Sequence, residues 1–296
     1  MLAWRQAFEE LTPFPGLDAT SNTAWVWPTR MARIHALVTP PWSVDVGADV
    51  DPAALTERME ACSVPIQILD LPAGAVLPTD FEFTSKSKSV CVHQRHTRQI
   101  QLQEYKLPKK RAQQARRAAR EGTTVVESLD LAQHVALHQA ARHRKGISSD
   151  ENGLRALMAA LLSQPANHAY VALHGGRAVA SAIVVRSRSM AAGPVALYAL
   201  GGQDRMPSQA SHAVDPNVSA RASVAVLAHA IEAAREAGDQ IFDFGGSSDP
   251  GVDRFYAEFG AAVVPKIRLV KTARWIRPFV ALKRPDLLFP KPVPSS

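Results

Sequence analysis

One long amphipathic segment between two short apolar strands constrains the fold of the second half of this chain. The helix can begin at Asp215 or Asn217, because Pro216 is tolerated at the first helical position, and Gly238 ends it. Apolar residues recur on a single face of this helix: Val224, Leu227, Ala228, Ile231 and Ala234. Because the helix crosses from one strand to the next, those two strands should run parallel in one sheet.

The neighbouring segments predict an α/β fold with a mixed sheet. From Thr123 the predicted order is strand, two helices, three antiparallel strands, the long helix, strand, short helix and final strand, with a tight turn at Gly175-Gly176. Residues 24–105 form an earlier mixed unit, in which Asp51-Pro52 begins a helix. We therefore predict domains at 1–105 and 106–271, followed by a basic, Pro-rich tail of residues 272–296.

Composition narrows the class of protein. The 296 residues suffice for two domains, and no apolar run reaches the ~18 residues that a membrane helix needs. The first residues lack the apolar core of a signal peptide. Cys62 and Cys91 are the only cysteines, which argues against a disulfide framework. These features predict a cytoplasmic protein of bacterial type.

Charge favours an anionic partner, while the histidines do not predict a metal. The net charge of +7 suits a phosphate-bearing carrier, nucleic acid or an anionic lipid surface, and equally suits a basic protein without such a partner. His134 and His138 are four residues apart on a predicted helix, but no third ligand follows at a recognisable spacing. We predict no metal site.

The stretch FDFGGSSDPGVDRFYAEFGA, residues 242–261, is the strongest candidate for a catalytic corner. The phenol of Tyr256 can protonate a leaving group, or the ring can simply pack as a half-buried aromatic. Asp243 can bind or deprotonate an attacking ammonium, or it can accept hydrogen bonds that hold the turn. The substrate-binding candidates are Gly245, Gly246, Ser247 and Arg254. The glycines equally permit positive φ, and Ser247 can equally act in capping the helix.

Two segments are candidates for binding the anionic part of a donor. In KLPKKRAQQARRAAREG, a predicted helix, Lys110, Arg117 and Arg120 fall near one face. This face can hold the phosphates of tRNA, coenzyme A or a nucleotide-linked acceptor, or it can be a solvated surface. The second candidate is the beginning of the long helix, where Asn217 and Ser219 lie among free backbone N–H groups.

The element order and four motifs resemble the GNAT acyltransferases, and in particular their FemAB-like branch. The segment FYAEFG resembles the one that closes the last helix of many GNAT domains, and the wider EAAREAGDQIFDFGGSSDPGVDRFYAEFGA resembles the FemAB-like version. WPTRMARIHALVTPPWSVDVG and LPKKRAQQARRAAREGTTVV resemble the early strand with its Pro-Pro-aromatic turn and the basic helix of that branch. The resemblance implies tandem GNAT-like domains with the active cleft in or near the second.

The resemblance implies an N-acyltransferase that moves an acyl or aminoacyl group to an amine, or sometimes to a hydroxyl. GNAT enzymes that use acetyl-CoA usually carry a Gln/Arg-x-x-Gly-x-Gly loop, whereas GGQDRMPSQASHAVDPNVSARAS lacks the Gly-x-Gly. Acyl-CoA and aminoacyl-tRNA therefore both remain possible donors, and no permanently bound cofactor is expected. The acceptor would be a small molecule or resemble a peptidoglycan precursor. The alternative is a non-catalytic GNAT-like module that binds nucleic acid or another anionic polymer through its basic helix.

The tail offers a further surface. ARWIRPFVALKRPDLL mixes Trp275, Ile276, Phe279 and Leu282 with arginine and lysine. Such a segment can make a peripheral contact with an anionic membrane surface, or it can pack across the body of the protein.

Overall fold

The computed structural model describes residues 27–31, 34–38, 59–61, 63–71, 73–74, 90–146, 151–189, 193–204, 216–246, 249–283 and 285–288. These residues belong to two compact units, one within Gln99–Arg188 and Ala192–Ala262, and the other within Thr12–Arg98 and Val263–Ser296. The predicted helix start at Asp51, the cysteine Cys62, the candidate Ser247 and the loop before Pro216 lie outside the described residues.

The strands are β1 (Trp27–Met31), β2 (Ile34–Val38), β3 (Ile66–Asp70), β4 (Val90–Gln101), β5 (Thr123–Glu127), β6 (His168–His174), β7 (Arg177–Ser189), β8 (Gly193–Gln203), β9 (Ile241–Asp243) and β10 (Ala262–Thr272). The helices are α1 (Lys109–Arg120), α2 (Leu131–Arg144), α3 (Glu151–Leu162), α4 (Pro216–Glu236), α5 (Pro250–Ala257) and α6 (Arg277–Lys283). The order from Thr123 is the predicted one, and the mixed α/β class is confirmed.

The N-terminal unit is built on β1, β2, β3 and β10. β1 and β10 pair antiparallel with β2 and β3 respectively, while β2 and β3 are parallel. At the end of β3, the Asp70 carboxylate accepts two hydrogen bonds from the Arg268 guanidinium, at 2.6 and 2.7 Å. The boundary between the units lies at residues 98/99 instead of 105/106, and the last strand and the tail group with the N-terminal unit, because β10 pairs with β3.

The second unit has a mixed sheet in the order β9-β8-β7-β6-β5, with helices on both faces. Leu227 and Ile231 of α4 are buried against Phe242 and Phe244 on one face. On the other face, Met158 and the rest of the α2 and α3 core pack against Ala169 and Ile183. The helix face predicted for α4 is therefore the buried one, with Ala228 half-buried at its margin.

The parallel pairing predicted around the long helix is confirmed between β8 and β9. The predicted boundaries of the elements are less accurate than their predicted order. α3 begins at Glu151 instead of Leu154, and β8 runs to Gln203 instead of Leu200. The added residues of β8 include two glycines, which give no strand signal because they present no side chain to the sheet. Among the described residues, no helix is long and apolar enough to cross a membrane.

Gly202 lies where helix α2 approaches strand β8 most closely. A Cβ at this position would collide with the backbone of Leu137 and His138, so no side chain fits between the helix and the strand. We predict that Gly202→Ala lowers the free energy of unfolding by about 2–3 kcal/mol, because the helix must move away. Gly175→Ala is the control, since it introduces only strain at φ 57° and should cost about 1 kcal/mol. Equal costs in denaturant titrations would contradict this contact.

His134 makes stability depend on pH. It is buried on α2, its Nε2 is 2.8 Å from the Ser128 carbonyl, and burial lowers its pKa below the usual 6.5. Above pH ~6.5 the side chain is neutral in both states, but below it only the unfolded chain takes up the proton, so stability falls as pH falls. We expect His134→Gln to flatten this dependence in thermal melts at pH 5 to 7. The exposed His143 is the control, and an equal flattening in His143→Gln would contradict the assignment.

Candidate active site

Strand β8 continues beyond the end of its parallel partner β9, so the last residues of β8 are unpaired on that side. The two strands pair only at Val195 with Ile241, Ala196 with Phe242 and Leu197 with Asp243. β9 then ends, whereas β8 continues to Gln203. Residues 198–203 therefore have no β9 residue beside them, and we call this stretch the open edge. Backbone groups on an unpaired edge are free to hydrogen-bond a ligand in an extended conformation.

The chain leaves β9 through the predicted Gly-Gly corner. Gly245 and Gly246 both have φ of 74°, a conformation that other residues adopt at a cost. A Cβ on Gly245 would lie 3.3 Å from the Tyr198 carbonyl oxygen, so the corner also passes close to the start of the open edge. The glycines thus turn the chain away from β8, and whether they contact a substrate stays a prediction.

Asp243 is buried and held by the corner itself. Its Oδ1 accepts a hydrogen bond from the Gly245 backbone N–H at 2.7 Å, and its Oδ2 accepts one from Gln99 Nε2 at 2.8 Å. With both oxygens engaged, the carboxylate suits the turn-holding role better than deprotonation of an ammonium. These contacts fix where the strand ends and in which direction the corner leaves it.

Tyr256 lies on α5 in an aromatic cluster beside the open edge. Asp249 caps this helix by accepting from the backbone N–H of Gly251 at 2.8 Å. The Tyr256 ring is stacked on Phe244, with centroids 4.7 Å apart, and lies edge-on to Tyr198 at 6.1 Å. Burial, with a smaller contribution from Tyr198, raises the pKa of the Tyr256 phenol well above 10. Tyr256 is therefore protonated at neutral pH and can act only as a proton donor there.

Tyr198 is a candidate that the sequence analysis did not single out. It is the first residue of the open edge, and burial raises the pKa of its phenol above the usual value. No hydrogen bond joins the hydroxyl of Tyr198 or of Tyr256 to another described residue. Neither phenol O–H is therefore engaged by a described part of the protein, and the two rings lie 6.1 Å apart between centroids. The sequence predicted Tyr198 only as part of a strand, because the length of a strand relative to its partner is not visible in sequence.

Helix α2 contacts the open edge. His138 Nδ1 lies 3.0 Å from the Gly201 carbonyl oxygen, and burial lowers the pKa of this imidazole. At the end of α2, the Lys145 ammonium is 2.5 Å from Asp249, the residue that caps α5. These contacts link α2 to both the open edge and the helix that carries Tyr256. Within the described ranges, no group of three His, Cys, Asp or Glu residues could hold a metal ion.

The predicted anion-binding residues separate into two groups. The end of α1 meets the beginning of α4, because Glu121 accepts a hydrogen bond of 2.7 Å from Arg221 Nε. This contact brings Arg117 and Arg120 towards the helix start where Asn217 and Ser219 lie. Lys110 belongs to the opposite end of α1, where it is 3.9 Å from Glu258. Arg254 shares that glutamate, with its Nε 3.6 Å from Glu258 Oε1, so it lies with Lys110 and away from the α4 start.

The start of α4 adjoins the open edge. Ser223 Oγ donates to the side-chain oxygen of Gln203, the last residue of β8, at 2.8 Å. One turn earlier, Ser219 is fully buried, and its Oγ has no hydrogen-bond partner in the described part of the chain. Of the basic residues nearby, Arg117 is paired with Glu121 at 2.7 Å, while Arg120 is exposed and forms no ion pair with a described residue.

A buried arginine holds α5 in place, and sequence reasoning missed it among the six basic residues of α1. The Arg111 guanidinium lies 2.7 Å from Glu258 and stacks over the ring of Phe255, 4.6 Å from its centroid. Burial lowers its pKa, and Glu258 offsets part of that effect. Arg111 thereby fixes the helix on which Tyr256 lies. Its partner Glu258 directly follows α5 and is far from α1 in the sequence. Only the folded structure brings the two residues together.

Comparisons with known proteins agree with this architecture. The family model of an acetyltransferase (GNAT) domain matches residues 109–256, which is half of the chain. No curated protein sequence matches. Among solved structures, FemX is similar with a TM-score of 0.60 at 13% identity, covering 95% of this chain and 93% of FemX.

Two further structures share the fold at a TM-score of 0.53. L-PGS from Bacillus licheniformis is 12% identical, covering 94% of this chain and 93% of that one. The C-terminal domain of a putative lysylphosphatidylglycerol synthetase from Agrobacterium fabrum is 13% identical, covering 93% of this chain and 88% of that one. The resemblance drawn from the sequence motifs is confirmed. The chain therefore belongs to the GNAT acetyltransferase family, as an N-acyltransferase with a FemAB-like fold.

Proposed function

We propose that the acyl or aminoacyl group is transferred to an amine at the open edge of β8, beside Tyr198 and Tyr256. The observation that carries this proposal is the end of β8–β9 pairing at Leu197 and Asp243 while β8 continues. The unpaired edge offers an extended donor both N–H and C=O groups, as another strand would. Two unengaged phenols lie at the point where the strands part.

The chemistry needs a proton donor for the leaving group. The lone pair of the amine nitrogen attacks the donor carbonyl carbon, and an N–H group of the open edge can stabilise the oxyanion that forms. When the bond to the leaving sulfur or oxygen breaks, Tyr256 gives its phenol proton to that atom. The proton that the nitrogen loses then returns, through solvent, to the phenolate. Asp243 serves as a positioning residue, because it holds the Gly245 corner.

The donor would carry its phosphates at the start of α4. The helix dipole favours an anion there, and the end of α1, which carries the exposed Arg120, meets α4 through the contact between Glu121 and Arg221. Acyl-CoA and aminoacyl-tRNA both present phosphate at a distance from the reacting carbonyl. The GNAT match favours acyl-CoA. The similar domain of a putative lysylphosphatidylglycerol synthetase is named for a product in which an aminoacyl group is joined to a lipid.

The acceptor that we propose is an amine on a small molecule or on a molecule resembling a peptidoglycan precursor. Among the candidates for contacting it, Gly245 borders the open edge, and Gly246 follows it in the corner. Arg254 is exposed on α5 beside Glu258, two residues before the buried Tyr256. Because residues two apart face different sides of a helix, Arg254 would contact only an acceptor that extends around α5.

Replacing the phenol tests the chemical step. We predict that Tyr256→Phe lowers kcat by about 100-fold or more, because the leaving group loses its proton donor, while KM for the donor changes little. Since the pKa of Tyr256 is raised above 10, we also expect no tyrosine-dependent loss of activity below about pH 10. Tyr105→Phe is the matched control, because it removes a hydroxyl that only donates to the Phe259 carbonyl, at 2.7 Å.

An unchanged kcat in Tyr256→Phe, with both variants folded, would overturn the assigned role. Unchanged turnover together with loss of nucleic-acid binding in α1 variants would favour the non-catalytic alternative. Native mass spectrometry of the freshly purified protein would show directly whether a coenzyme A species or tRNA is retained.

Two exposed cations at opposite ends of α1 distinguish the donors. We predict that Arg120→Gln weakens acyl-CoA binding about fivefold by isothermal titration, since roughly 1 kcal/mol of charge interaction is lost, while Lys110→Gln has no effect. An aminoacyl-tRNA would span both ends, so both variants would weaken its binding and reduce its salt dependence. If neither donor binds less tightly to Arg120→Gln, the proposed phosphate site is wrong.

A further inference from the structure

The C-terminal segment is folded onto the N-terminal unit with one side inward. It consists of a short turn at Arg274–Ile276, helix α6 and a second turn at Pro285–Leu287. Ile276, Val280 and Leu287 are buried against Ile66, Ile68 and Val270. The segment is therefore not an unstructured tail, and its inward side is fully occupied by apolar contacts.

Hydrogen bonds fix the ends of this segment as well. The Ala273 backbone N–H donates to the Pro65 carbonyl at 2.8 Å, and the Leu287 carbonyl lies 3.1 Å from Nε2 of the buried His93. Because both ends are anchored, the segment cannot roll over to bury its other side without breaking these contacts. The outward side is consequently a permanent surface of the protein.

That outward side is apolar. Trp275, Phe279 and Leu282 are 73%, 39% and 77% exposed, and Pro278 between them is exposed as well. Their spacing of four and three residues places all three on one helical stripe. Single exposed apolar residues are ordinary, but a tryptophan, a phenylalanine and a leucine in one exposed row mark a contact surface. We call this row the apolar stripe.

The charged residues of the C-terminal segment are nearly all of one sign. After Glu258 the sequence contains eight Lys or Arg residues and a single acid, Asp286. Arg268 and Lys271 are occupied inside the unit, by Asp70 and by the Met59 carbonyl. Arg274, in contrast, is exposed next to Trp275, and Arg277 is half-buried beside the stripe. A surface with exposed aromatic and aliphatic groups flanked by cations is complementary to anionic headgroups above acyl chains.

We propose that the apolar stripe is a docking surface for an anionic lipid bilayer, with Trp275, Phe279 and Leu282 entering the interface and Arg274 meeting the headgroups. A second copy of the chain fits this surface less well. A symmetric contact through the stripe would set the same cations of two molecules against each other. Nucleic acid would satisfy the cations but leave the apolar row exposed. The surface is independent of the acyl-transfer site proposed above.

Vesicle sedimentation of the full chain tests this proposal. We expect binding to mixed phosphatidylcholine–phosphatidylglycerol vesicles and much weaker binding to phosphatidylcholine alone, with the difference reduced by salt. Trp275→Ser combined with Leu282→Ser should lower the partition coefficient by at least about tenfold, because two inserted side chains are lost. Arg274→Gln should lower it by about fivefold. The matched control is Leu129→Ser, which removes a 61% exposed leucine from the other unit.

Insertion can also be observed at the tryptophan itself. Lipids brominated along their acyl chains should quench part of the fluorescence of the intact chain, and Trp275→Phe should remove that part while binding persists. The proposal is overturned by an absence of binding to anionic vesicles, by equal binding to neutral vesicles, or by binding that the double variant retains. It is also overturned if Leu129→Ser lowers the partition coefficient as much as the double variant does. Loss of self-association of the lipid-free chain in the stripe variants would overturn it as well.

Discussion

The unequal length of two paired strands is the constraint on which the proposed site depends. β8 and β9 are held together by three residue pairs. β9 then ends, and β8 continues without a partner on that side. A sheet normally leaves no such gap between adjacent strands, because unpaired backbone groups inside a fold cost free energy. Here the gap lies beyond the C-terminal end of β9, where a bound molecule can supply the missing hydrogen-bond partners of β8.

The surrounding residues keep this gap in place. Asp243 binds the Gly245 N–H and Gln99, so the corner leaves the strand at a fixed point. Arg111 and Glu258 clamp α5 against α1, which keeps Tyr256 in contact with Phe244. Several buried polar contacts of this second unit, far apart in sequence, thus serve one geometric purpose. An acyltransferase needs that rigidity, because a misplaced proton donor loses much of its effect.

Much of the fold could be predicted from the sequence, because its signals are local. The apolar face of α4, the Gly175-Gly176 hairpin and the Gly-Gly corner each depend on residues close together in the chain. The roles of Tyr198 and Arg111 could not be predicted, because they depend on where β9 ends relative to β8 and on which acid meets α1. The sequence singled out Asp243 but left two roles open, a base and a carboxylate that holds the turn. Its two hydrogen bonds in the structure favour the second role. For the C-terminal segment, composition indicated a surface element but could not show which of its sides would be buried.

The central claim is that the donor binds along residues 198–203, and hydrogen–deuterium exchange with added acyl-CoA or aminoacyl-tRNA measures this most directly. Amides on an unpaired strand edge and in the first turn of a helix exchange quickly unless a ligand covers them. We expect slower exchange at residues 198–203 and at the start of α4 when the donor binds, with no change in β5 and β6. Protection confined to the basic face of α1, with the open edge unaffected, would contradict it.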